Sequence, residues 1–481
     1  MAQTIPMEQL EQQVATGLLT LHIDSRKVKQ GDVFVALPGA TVDGGKFIEN
    51  AIENGAAYIV CSEENIPENP VDAVFVVTEN TKETLGRLAS ARFGTANLNL
   101  QLVGVTGTNG KTTVTSILEY LFAEAGRKTG VIGTVAYRWP GTEIVANMTT
   151  PDCLKLHSLL SRMEAAGVEN AFMEVSSHAL DQNRTAGIRF SGGVLTNVTQ
   201  DHLDYHGDME TYFDAKKKLF TAVPDVAKLG VINLDDAYGK SLLPELSNGI
   251  GFTLTGADVE GCRVLRGEIV ESTVDGLKLH MSFEGQEWDI TSPMVGTHNA
   301  SNLLAAMAVG VGMGLTIQQM QSLSGYAGVC GRLERIPTTK GIYAFVDYAH
   351  TPDALVNVLS ALRKTGFERI ITVFGCGGDR DRTKRPLMGE AVAKGTDVAV
   401  LTSDNPRTEN PDAILEDVKP GLADCKEVLV EVDRKKAIEL AVSIAKPGDC
   451  ILVAGKGHED YQVLGTKKVP FSDQAILKEL L

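Results

Sequence analysis

The chain has 481 residues, of which 43% are apolar and 22% charged, and its formal net charge is −16. Because a single hydrophobic core stops growing near ~250–300 residues, this length predicts several domains. The acidic balance, without any block of basic residues, argues against nucleic acid or an anionic membrane as a partner, but not against an anionic small substrate. No run approaches ~18 apolar residues, so we expect no membrane insertion.

Seven cysteines are scattered singly along the chain, without a CxxC pair. Their odd number and spacing are typical of a reduced protein rather than a disulfide framework. The N-terminal residues MAQTIPMEQLEQQ lack the charged and apolar regions of a secretory signal. We therefore expect a cytoplasmic location.

The first segment, residues 1–98, mixes short strands with helices. GDVFVAL (31–37) and DAVFVVT (72–78) are rich in β-branched and aromatic residues, which predicts strands. The polar stretch ARFGTANLNL then indicates a connection to the next segment. This pattern predicts a small N-terminal α/β domain.

The second segment, residues 99–334, alternates strands and helices. QLVGV (101–105) predicts a strand, and apolar residues at helical spacing predict a helix from about Thr112. Further strands are predicted at 171–175, 193–196 and 229–233, with an antiparallel patch within 251–290. The alternation predicts a mainly parallel sheet.

The third segment, residues 335–481, predicts a Rossmann-like, doubly wound domain. Its strands are expected at 343–347, 369–374, 397–402, 427–430 and 450–454. The polar motifs DYAHTPD, GCGGDRD, SDNPR and GKGHE each follow one of these strands. Since ligands bind at the carboxyl ends of such strands, the motifs predict a ligand site.

A glycine-rich loop, GVTGTNGKTT (104–113), lies between the predicted strand and helix of the second segment. Backbone N–H groups of such a loop cradle phosphates, Lys111 would neutralise them, and the Thr112 or Thr113 hydroxyl would reach Mg²⁺. The generic motif requires glycine six residues before the lysine, where this chain has Val105. An ordinary glycine-rich turn is therefore the alternative.

Two further residues suit a magnesium ion. Glu174 ends a predicted strand, and His202 lies in the string DHLDYHG. Magnesium prefers oxygen ligands, so a histidine ligand is unusual and His202 could instead be a hydrogen-bonding core residue. The residues alone leave both interpretations open.

The loop GTNGKT, together with DHLDYHG, SSHALDQNR, GTHNASN, VCGRLER and DNPR, resembles the Mur ligases over essentially the whole chain. The resemblance implies three domains, 1–98 for the UDP-sugar, 99–334 for ATP and 335–481 for the amino acid. It implies a monomeric ATP-dependent ligase of cytoplasmic peptidoglycan precursor synthesis. Such an enzyme adds meso-2,6-diaminopimelate to UDP-N-acetylmuramoyl-L-Ala-D-Glu through an acyl phosphate, with Mg²⁺ as cofactor and ATP as co-substrate.

Other functions are also compatible with these motifs. Within the fold they are an L-lysine-adding ligase, another Mur ligase or a folylpolyglutamate-type ligase. A P-loop kinase or NTPase switch and a non-catalytic UDP-sugar binding module are the alternatives of other classes. A ligase, unlike a kinase or an NTPase switch, would release phosphate only when both an amine and an acyl acceptor are present. A non-catalytic binding module would have no need of the phosphate loop.

The resemblance also implies roles for individual residues. The metal ligands would be Thr112, Glu174, His202 and Lys216, the last as a carbamate (N6-carboxylysine). Sequence alone does not rank Lys216 against its neighbours Lys217 and Lys218. The catalytic residues would be Lys111, Lys216, His202 and Arg332.

Residues implied to bind ATP come from the loop, the GTHNASN motif, the VCGRLER motif and DYAHTPD. They are Thr108, Asn109, Gly110, Lys111, Thr112, Thr113, Asn299, Asn302, Arg332, Asp347 and His350. Asn side chains present both a donor and an acceptor, which suits an adenine edge. Helix capping by Asn299 is the alternative.

Residues implied to bind the UDP-linked substrate lie in the first two segments. They are Ser25, Ala40, Thr41, Val42, Thr149, Thr150, Ser176, Gln182 and Arg184. The alternatives are ordinary loops around Ser25 and 39–42, and helix capping by Thr149 or Thr150 before Pro151.

Residues implied to bind diaminopimelate follow the strands of the third segment. They are Arg380, Asp404, Asn405, Pro406, Arg407, Gly455 and Glu459. Diaminopimelate carries a carboxylate that lysine lacks, and a planar guanidinium such as Arg407 can bind it with two hydrogen bonds. The alternative for Arg407 is a surface arginine after an Asn-Pro turn.

Overall fold

The computed structural model describes residues 3–39, 42–67, 72–221 and 228–481. Ala40 and Thr41 lie outside the described residues. The chain divides into two compact units. The first comprises Met1–Lys111 and Phe122–Ile250, and the second comprises Thr112–Leu121 and Gly251–Leu481. Within the described ranges, no helix combines the length and apolar character needed to cross a bilayer.

The first unit begins with a parallel five-stranded sheet. Its strands are β1 (Gln3–Thr4), β2 (Leu21–His22), β3 (Val33–Val35), β4 (Tyr58–Cys61) and β5 (Val74–Val77), in the order β1-β5-β4-β3-β2. Its helices are α1 (Met7–Ala15), α2 (Ile48–Glu53) and α3 (Thr81–Phe93). The strands predicted at 31–37 and 72–78 are confirmed as β3 and β5.

A second sheet of this unit carries the phosphate loop. Its strands are β6 (Gln101–Thr106), β7 (Thr129–Ile132), β8 (Ala136–Trp139), β9 (Thr142–Val145), β10 (Asn170–Glu174), β11 (Gly192–Leu195) and β12 (Leu229–Asn233). The order is β12-β11-β6-β10-β7-β8-β9, parallel up to β7 and antiparallel beyond it. The helices that follow these strands are α4 (Lys111–Glu124), which contains a boundary between the units, α5 (Cys153–Ala165), α6 (Ser177–Asp181), α7 (Leu203–His206), α8 (Met209–Thr221) and α9 (Ala237–Leu242).

The strands β6, β10 and β11 are buried almost throughout, as expected for parallel strands covered on both faces. They are neighbours in the sheet, with β6 in the middle. Because parallel strands end at the same edge, the loops after β6, β10 and β11 lie side by side. Those loops contain the glycine-rich motif, Glu174 with its following serines, and His202.

The antiparallel patch predicted within 251–290 is confirmed in the second unit. After β13 (Gly249–Thr253), which contains another boundary between the units, come β14 (Arg263–Thr273), β15 (Gly276–Phe283) and β16 (Gln286–Ser292). Burial alternates along β15, so one face packs on the core. The helices α10 (Thr297–Gly312) and α11 (Ile317–Met320) follow.

A six-stranded sheet forms the rest of the second unit. Its strands are β17 (Glu334–Ile336), β18 (Tyr343–Asp347), β19 (Ile370–Phe374), β20 (Val398–Leu401), β21 (Glu427–Val430) and β22 (Cys450–Ala454), in the order β17-β18-β22-β19-β20-β21. All pairs are parallel except β17 with β18. The remaining elements are α12 (Pro352–Lys364), α13 (Lys384–Gly395), α14 (Pro411–Val418), α15 (Arg434–Ile444), the hairpin β23 (Tyr461–Leu464) and β24 (Lys467–Pro470), and α16 (Asp473–Leu480).

Separate apolar clusters cover the two faces of this sheet. The four polar motifs follow β18, β19, β20 and β22, which are consecutive neighbours. They therefore meet at one sheet edge, as the sequence predicts. The predicted α/β class, with parallel sheets in the N-terminal, central and C-terminal parts, is confirmed.

Candidate active site

The glycine-rich loop after β6 has a shape that only glycine permits at position 107. Gly107 has φ +144°, and a Cβ built there would lie 1.9 Å from the Thr196 Oγ1. The segment after β11 is hydrogen-bonded to this loop, since the Asn109 N–H donates to the Asn197 Oδ1 at 2.9 Å. The loop therefore depends on close backbone approach, which is what a phosphate-binding turn needs.

Lys111 is the first residue of α4, and its ammonium lies over the same loop. The Nζ donates to the Gly107 and Thr108 carbonyl oxygens, each at 2.8 Å. The Thr108 hydroxyl lies 3.2 Å from the Tyr212 hydroxyl. A positive charge and a helix N-terminus thus lie together at the end of β6, an arrangement suited to phosphate.

The structure ranks the three consecutive lysines of α8. Lys216 is 1% exposed. Lys217 and Lys218 instead form surface ion pairs, with Glu245 at 2.7 Å and Asp181 at 3.1 Å. Lys216 is therefore the lysine that faces the interior.

The surroundings of Lys216 favour its neutral amine. Burial lowers the pKa of this ammonium well below its ordinary value, and the positive charge of Lys111 lowers it further, against the opposing effect of Asp201. The Nζ lies 4.2 Å from the Tyr212 ring centroid. Tyr212 therefore contacts Lys216 with its ring and the phosphate loop with its hydroxyl.

Glu174 ends β10 and His202 lies in the loop after β11, the two strands on either side of β6. The His202 side chain is 47% exposed, so the alternative of a core histidine is wrong. Burial lowers its pKa, with Asp201 opposing, and its ring centroid lies 6.3 Å from that of Tyr212. Glu174 is 1% exposed and accepts hydrogen bonds from the Thr134 N–H at 2.8 Å and hydroxyl at 3.0 Å.

Unmodified acidic, histidine and cysteine side chains do not form a metal site here. In the part of the chain that the structure describes, no group of three or more of them is arranged to hold an ion. Glu174 and His202 are two donors, and Lys216 becomes an anionic oxygen donor only as a carbamate. The donor chemistry thus fits magnesium when Lys216 is modified.

Four of the residues predicted to bind the UDP-linked substrate lie close together. The Thr150 hydroxyl donates to the Glu174 carbonyl at 2.9 Å and accepts from the Ser176 N–H at 3.0 Å. Arg184 donates to the Thr150 carbonyl at 3.0 Å and, through two nitrogens, to the Gln182 Oε1 at 2.7 and 3.0 Å. These contacts join three separate loops.

The capping alternative for Thr149 and Thr150 is wrong. Helix α5 begins at Cys153, and its N-cap is Asp152, whose side chain accepts from the Lys155 N–H. The Thr149 hydroxyl instead lies 3.1 Å from that of Thr134.

The predicted uridine-binding positions are less fully described. Ser25 is 6% exposed, and its carbonyl accepts from the Asn54 side chain at 3.0 Å. Val42 is 49% exposed. Because Ala40 and Thr41 lie outside the described residues, their part in the turn stays a prediction.

Among the second-unit residues predicted to bind ATP, the two asparagines are buried and paired. The Asn302 Nδ2 donates to the Asn299 Oδ1 at 3.2 Å, and the Asn299 Nδ2 donates to the Val295 carbonyl at 2.9 Å. The N-cap of α10 is Gly296, so the alternative that Asn299 caps this helix is wrong.

Arg332 is held by an aromatic ring and a hydroxyl. Its guanidinium carbon lies 4.6 Å from the Tyr348 ring centroid, and its Nη2 donates to the Thr112 hydroxyl at 3.2 Å. Asp347 accepts from the backbone of Leu333, and burial raises the pKa of this carboxyl. The exposed His350 donates from Nδ1 to the Tyr348 carbonyl at 2.8 Å.

Arg407, from the loop after β20, contacts the loop after β19, which contains Arg380. A Cβ built on Gly377 would lie 3.0 Å from the Arg407 Nη1 and 3.7 Å from the Arg380 Cγ. Arg407 is half-buried and donates from Nη1 to the Gly378 carbonyl at 2.7 Å, so the alternative of a free surface arginine is wrong. Its backbone is left-handed, with φ +52°.

The other predicted residues of this site form a polar group beside them. The Asn405 Nδ2 donates to the Glu459 Oε2 at 3.0 Å. A Cβ built on Gly455 would lie 3.5 Å from the Asp404 Oδ2. The Pro406 carbonyl packs against Gly378, which joins the loops after β19 and β20.

Sequence reasoning missed two basic residues that hold these loops. Arg385 is 2% exposed and binds Glu409 at 2.7 Å and Asp417 at 2.8 Å, and it also donates to the Gly377 carbonyl. Lys456 is 0% exposed. The sequence signal for Lys456 was weak, because it consists only of a lysine between two glycines directly after an apolar strand.

Comparison with protein families gives three matches in chain order. Residues 20–93 match the Mur ligase family catalytic domain, 105–310 the Mur ligase middle domain and 331–457 the Mur ligase glutamate ligase domain. The chain belongs to the Mur ligase family.

Curated relatives of this Mur ligase are similar over nearly their whole length. A protein of Lawsonia intracellularis is 52% identical over 99% of this chain and 98% of its own. Proteins of Gloeobacter violaceus and Aquifex aeolicus are 46% and 41% identical, each over 96% of this chain and 93% of their own. All three are named UDP-N-acetylmuramoyl-L-alanyl-D-glutamate--2,6-diaminopimelate ligase.

Solved structures share the fold. A structure with the same ligase name is 32% identical, with a TM-score of 0.68 over 96% of this Mur ligase and 94% of that chain. The MurF ligase of Thermotoga maritima in complex with ADP has a TM-score of 0.62 at 23% identity, over 92% and 95% of the two chains. The second similarity shows the fold alone.

Proposed function

We propose that this Mur ligase joins 2,6-diaminopimelate to UDP-N-acetylmuramoyl-L-alanyl-D-glutamate at the expense of ATP. The proposal is supported by full-length identity to relatives named for this reaction. The observation that carries the choice of amino acid is that Arg407 reaches Gly377 with its guanidinium, in the loop that also contains Arg380. These two cations suit a carboxylate that a lysine side chain lacks.

The reaction needs an activated carboxylate, because a carboxylate alone is a poor acylating agent. An oxygen of the D-Glu side-chain carboxylate attacks the γ-phosphorus of ATP, and the bond to ADP breaks. The amine of diaminopimelate then attacks the acyl phosphate carbon, and phosphate leaves as the amide bond forms. Lys111 and Arg332 stabilise the negative charge on the transferring phosphoryl group.

The metal and its carbamate ligand belong to the same proposal. We assign Mg²⁺ to Thr112, Glu174, His202 and a carbamylated Lys216, and the ion supplies positive charge to the phosphates when bound. A carbamate forms when the neutral lysine amine attacks carbon dioxide and releases a proton. The lowered pKa of Lys216 supports this step, because it favours the nucleophilic amine.

Substrate binding is divided among three domains, with the boundaries 1–98, 99–334 and 335–481. This division is supported by the three family matches. Thr149, Thr150, Ser176, Gln182 and Arg184 would bind the UDP-linked peptide, with Ser25 and 40–42 at its uridine. Asn299, Asn302, Asp347 and His350 would join the loop residues at ATP. A cytoplasmic location is supported by seven free cysteines.

Specificity against L-lysine depends on the far end of the amino acid. We assign the meso isomer, whose far end carries a carboxylate beside an ammonium. Arg380 and Arg407 take the carboxylate, while Asp404 and Glu459 accept from the ammonium. L-Lysine would leave the arginines without an anionic partner, which disfavours its binding.

Phosphate release with a panel of amino acids tests the function. We expect release to require ATP, the UDP-linked dipeptide and meso-diaminopimelate together, with kcat/KM for L-lysine lower by roughly a hundredfold or more. Equal rates with lysine would transfer the assignment to a lysine-adding ligase. Release without any amine would favour an ATPase or a kinase.

A further inference from the structure

Lys456, directly after β22, is a buried cation between three oxygens. Its ammonium donates to the Asp404 Oδ1 at 3.3 Å, the Asn405 Oδ1 at 3.1 Å and the Glu459 Oε2 at 3.0 Å. An ammonium has three N–H donors and no acceptor, so these oxygens use all of them. Because the side chain is also 0% exposed, Lys456 has no hydrogen left for a substrate.

The three acceptors come from two loops that are distant in sequence. Asp404 and Asn405 follow β20, whereas Glu459 follows β22, and the two loops also share the bond from Asn405 to Glu459. The lysine therefore fixes the side chains of both loops at once.

The charges of this group leave one carboxylate unmatched. Asp404 and Glu459 are anionic, and Lys456 offsets one of the two. The nearby Arg434 is engaged by Asp473 through two nitrogens, at 2.9 and 2.8 Å, with both side chains 0% exposed. One negative charge thus remains, which matches one substrate ammonium.

We propose that Lys456 is a positioning residue for the amino-acid substrate. It fixes Asp404, Asn405 and Glu459, and it leaves a single carboxylate charge for the ammonium at the far end of diaminopimelate. This inference rests on the proposed function, in which those side chains bind that amino acid. The competing interpretation is a buried ion pair that serves only the stability of the fold.

Steady-state kinetics of Lys456→Met, with Lys394→Met as the matched control, test the inference. Lys394 is an exposed lysine of α13 in the same domain. In Lys456→Met we expect the KM for meso-diaminopimelate to rise roughly tenfold or more, because the carboxylates of Asp404 and Glu459 lose the cation that orients them. The KM values for ATP and for the UDP-linked dipeptide should stay within about twofold. The control should behave as the unmodified ligase.

An unchanged KM for diaminopimelate in Lys456→Met overturns the inference. So does an equal rise in all three KM values together with a lower melting temperature, because that pattern indicates a structural role. Glu459→Gln separates this inference from the site itself. If Glu459→Gln raises the KM and Lys456→Met does not, the site stands and the role of Lys456 fails. If neither does, the proposed site fails, and the inference with it.

Lys456→Met alone leaves a carboxylate without its cation and could fold poorly. The double variant Lys456→Met/Glu459→Gln removes one charge of each sign, so its net charge is that of the parent and the test stays valid. Because Lys456 acts partly through Glu459, the fold rise in the KM for diaminopimelate caused by Lys456→Met should be smaller in the Glu459→Gln background than in the parent ligase. Effects that multiply would show that Lys456 acts independently, which overturns the inference.

Discussion

Lys216 shows how burial can prepare a side chain for chemistry. Its amine is 1% exposed and faces the Tyr212 ring rather than a carboxylate. A permanently charged lysine is costly in such a place, whereas a neutral amine or a metal-bound carbamate is not. The neighbouring Lys217, paired with Glu245 at the surface, provides an internal comparison.

We expect Lys216→Ala to be nearly inactive and to be partly restored by small carboxylates such as formate, which can supply the missing anionic oxygen. Activity with and without added formate measures this. The matched variant Lys217→Ala should keep activity within about twofold, since a surface ion pair contributes little. Full activity of Lys216→Ala without formate would contradict the carbamate assignment.

Arg407 is the residue on which amino-acid selectivity is expected to depend. We expect Arg407→Ala to lower kcat/KM for meso-diaminopimelate by roughly a hundredfold, because a charged hydrogen-bonding partner of the substrate is lost. Its activity with L-lysine should change little, so discrimination collapses. The comparison of both amino acids in both proteins measures the effect, with the exposed Arg189→Ala as control. Strong discrimination in Arg407→Ala would place selectivity elsewhere.

The phosphate loop is the element whose backbone is most constrained. Gly107→Ala places a methyl group against the Thr196 hydroxyl in a backbone conformation that alanine avoids. We expect the KM for ATP to rise by roughly tenfold or more. Titration with a non-hydrolysable ATP analogue measures the affinity directly.

Gly126→Ala is the matched control for that experiment. Gly126 also has a positive φ, +85°, but a Cβ there meets nothing within 4 Å. It should cost about 1 kcal/mol of stability and leave ATP affinity unchanged. Equal ATP affinities in Gly107→Ala and Gly126→Ala would contradict the role of Gly107 in shaping the ATP-binding loop.

Strands were the elements that the sequence predicted best. Residues 229–233, 343–347, 427–430 and 450–454 form strands with the predicted bounds, because such strands are nearly continuous apolar runs bounded by polar turns. The β8–β9 and β23–β24 hairpins were missed, since strands of only four residues, each with polar residues, give too short an apolar run for that signal. The cap of α5 at Asp152 was also missed, because neighbouring residues compete for the same position.

The positions of candidate site residues could be predicted where a motif carries its own chemistry, as in the phosphate loop and at Arg407, although their roles stay predictions. Lys456 was not, because its role depends on Asp404 and Asn405, which lie about fifty residues earlier in the chain. Magnesium binding was inferred from the family resemblance. Unmodified side chains give no cluster that marks an ion within the described ranges.

Acid sensitivity of the whole molecule should depend on His157, a fully buried residue of α5. Its Nε2–H donates to the Ala186 carbonyl at 2.9 Å, so Nδ1 is the acceptor for the Thr95 hydroxyl. Burial lowers the pKa of His157 to about 4, below the ~6.5 of an unfolded chain. The folded state thus resists protonation, and stability is lost as the pH falls from about 6.5 towards 4.

We expect His157→Gln to be less stable than the parent near neutral pH but to lose less stability on acidification. The difference should reach about 2 kcal/mol near pH 5. Urea unfolding of the parent and of His157→Gln, near neutral pH and near pH 5, measures this difference in the free energy of unfolding. His280→Gln, at a surface histidine paired with Asp289, serves as the control. Identical pH dependences of His157→Gln and the parent would contradict this assignment.

The left-handed backbone at Arg407 has a consequence for protein engineering. A branched or long side chain in that conformation costs about 1 kcal/mol relative to glycine, and asparagine also tolerates it better. A library selected for heat resistance alone should therefore enrich glycine or asparagine at position 407. The selected variants would be more stable, but they would no longer discriminate between diaminopimelate and L-lysine. Thermal stability and amino-acid selectivity thus place opposite demands on position 407. A screen for thermostable variants therefore has to measure activity with the amino-acid substrate as well.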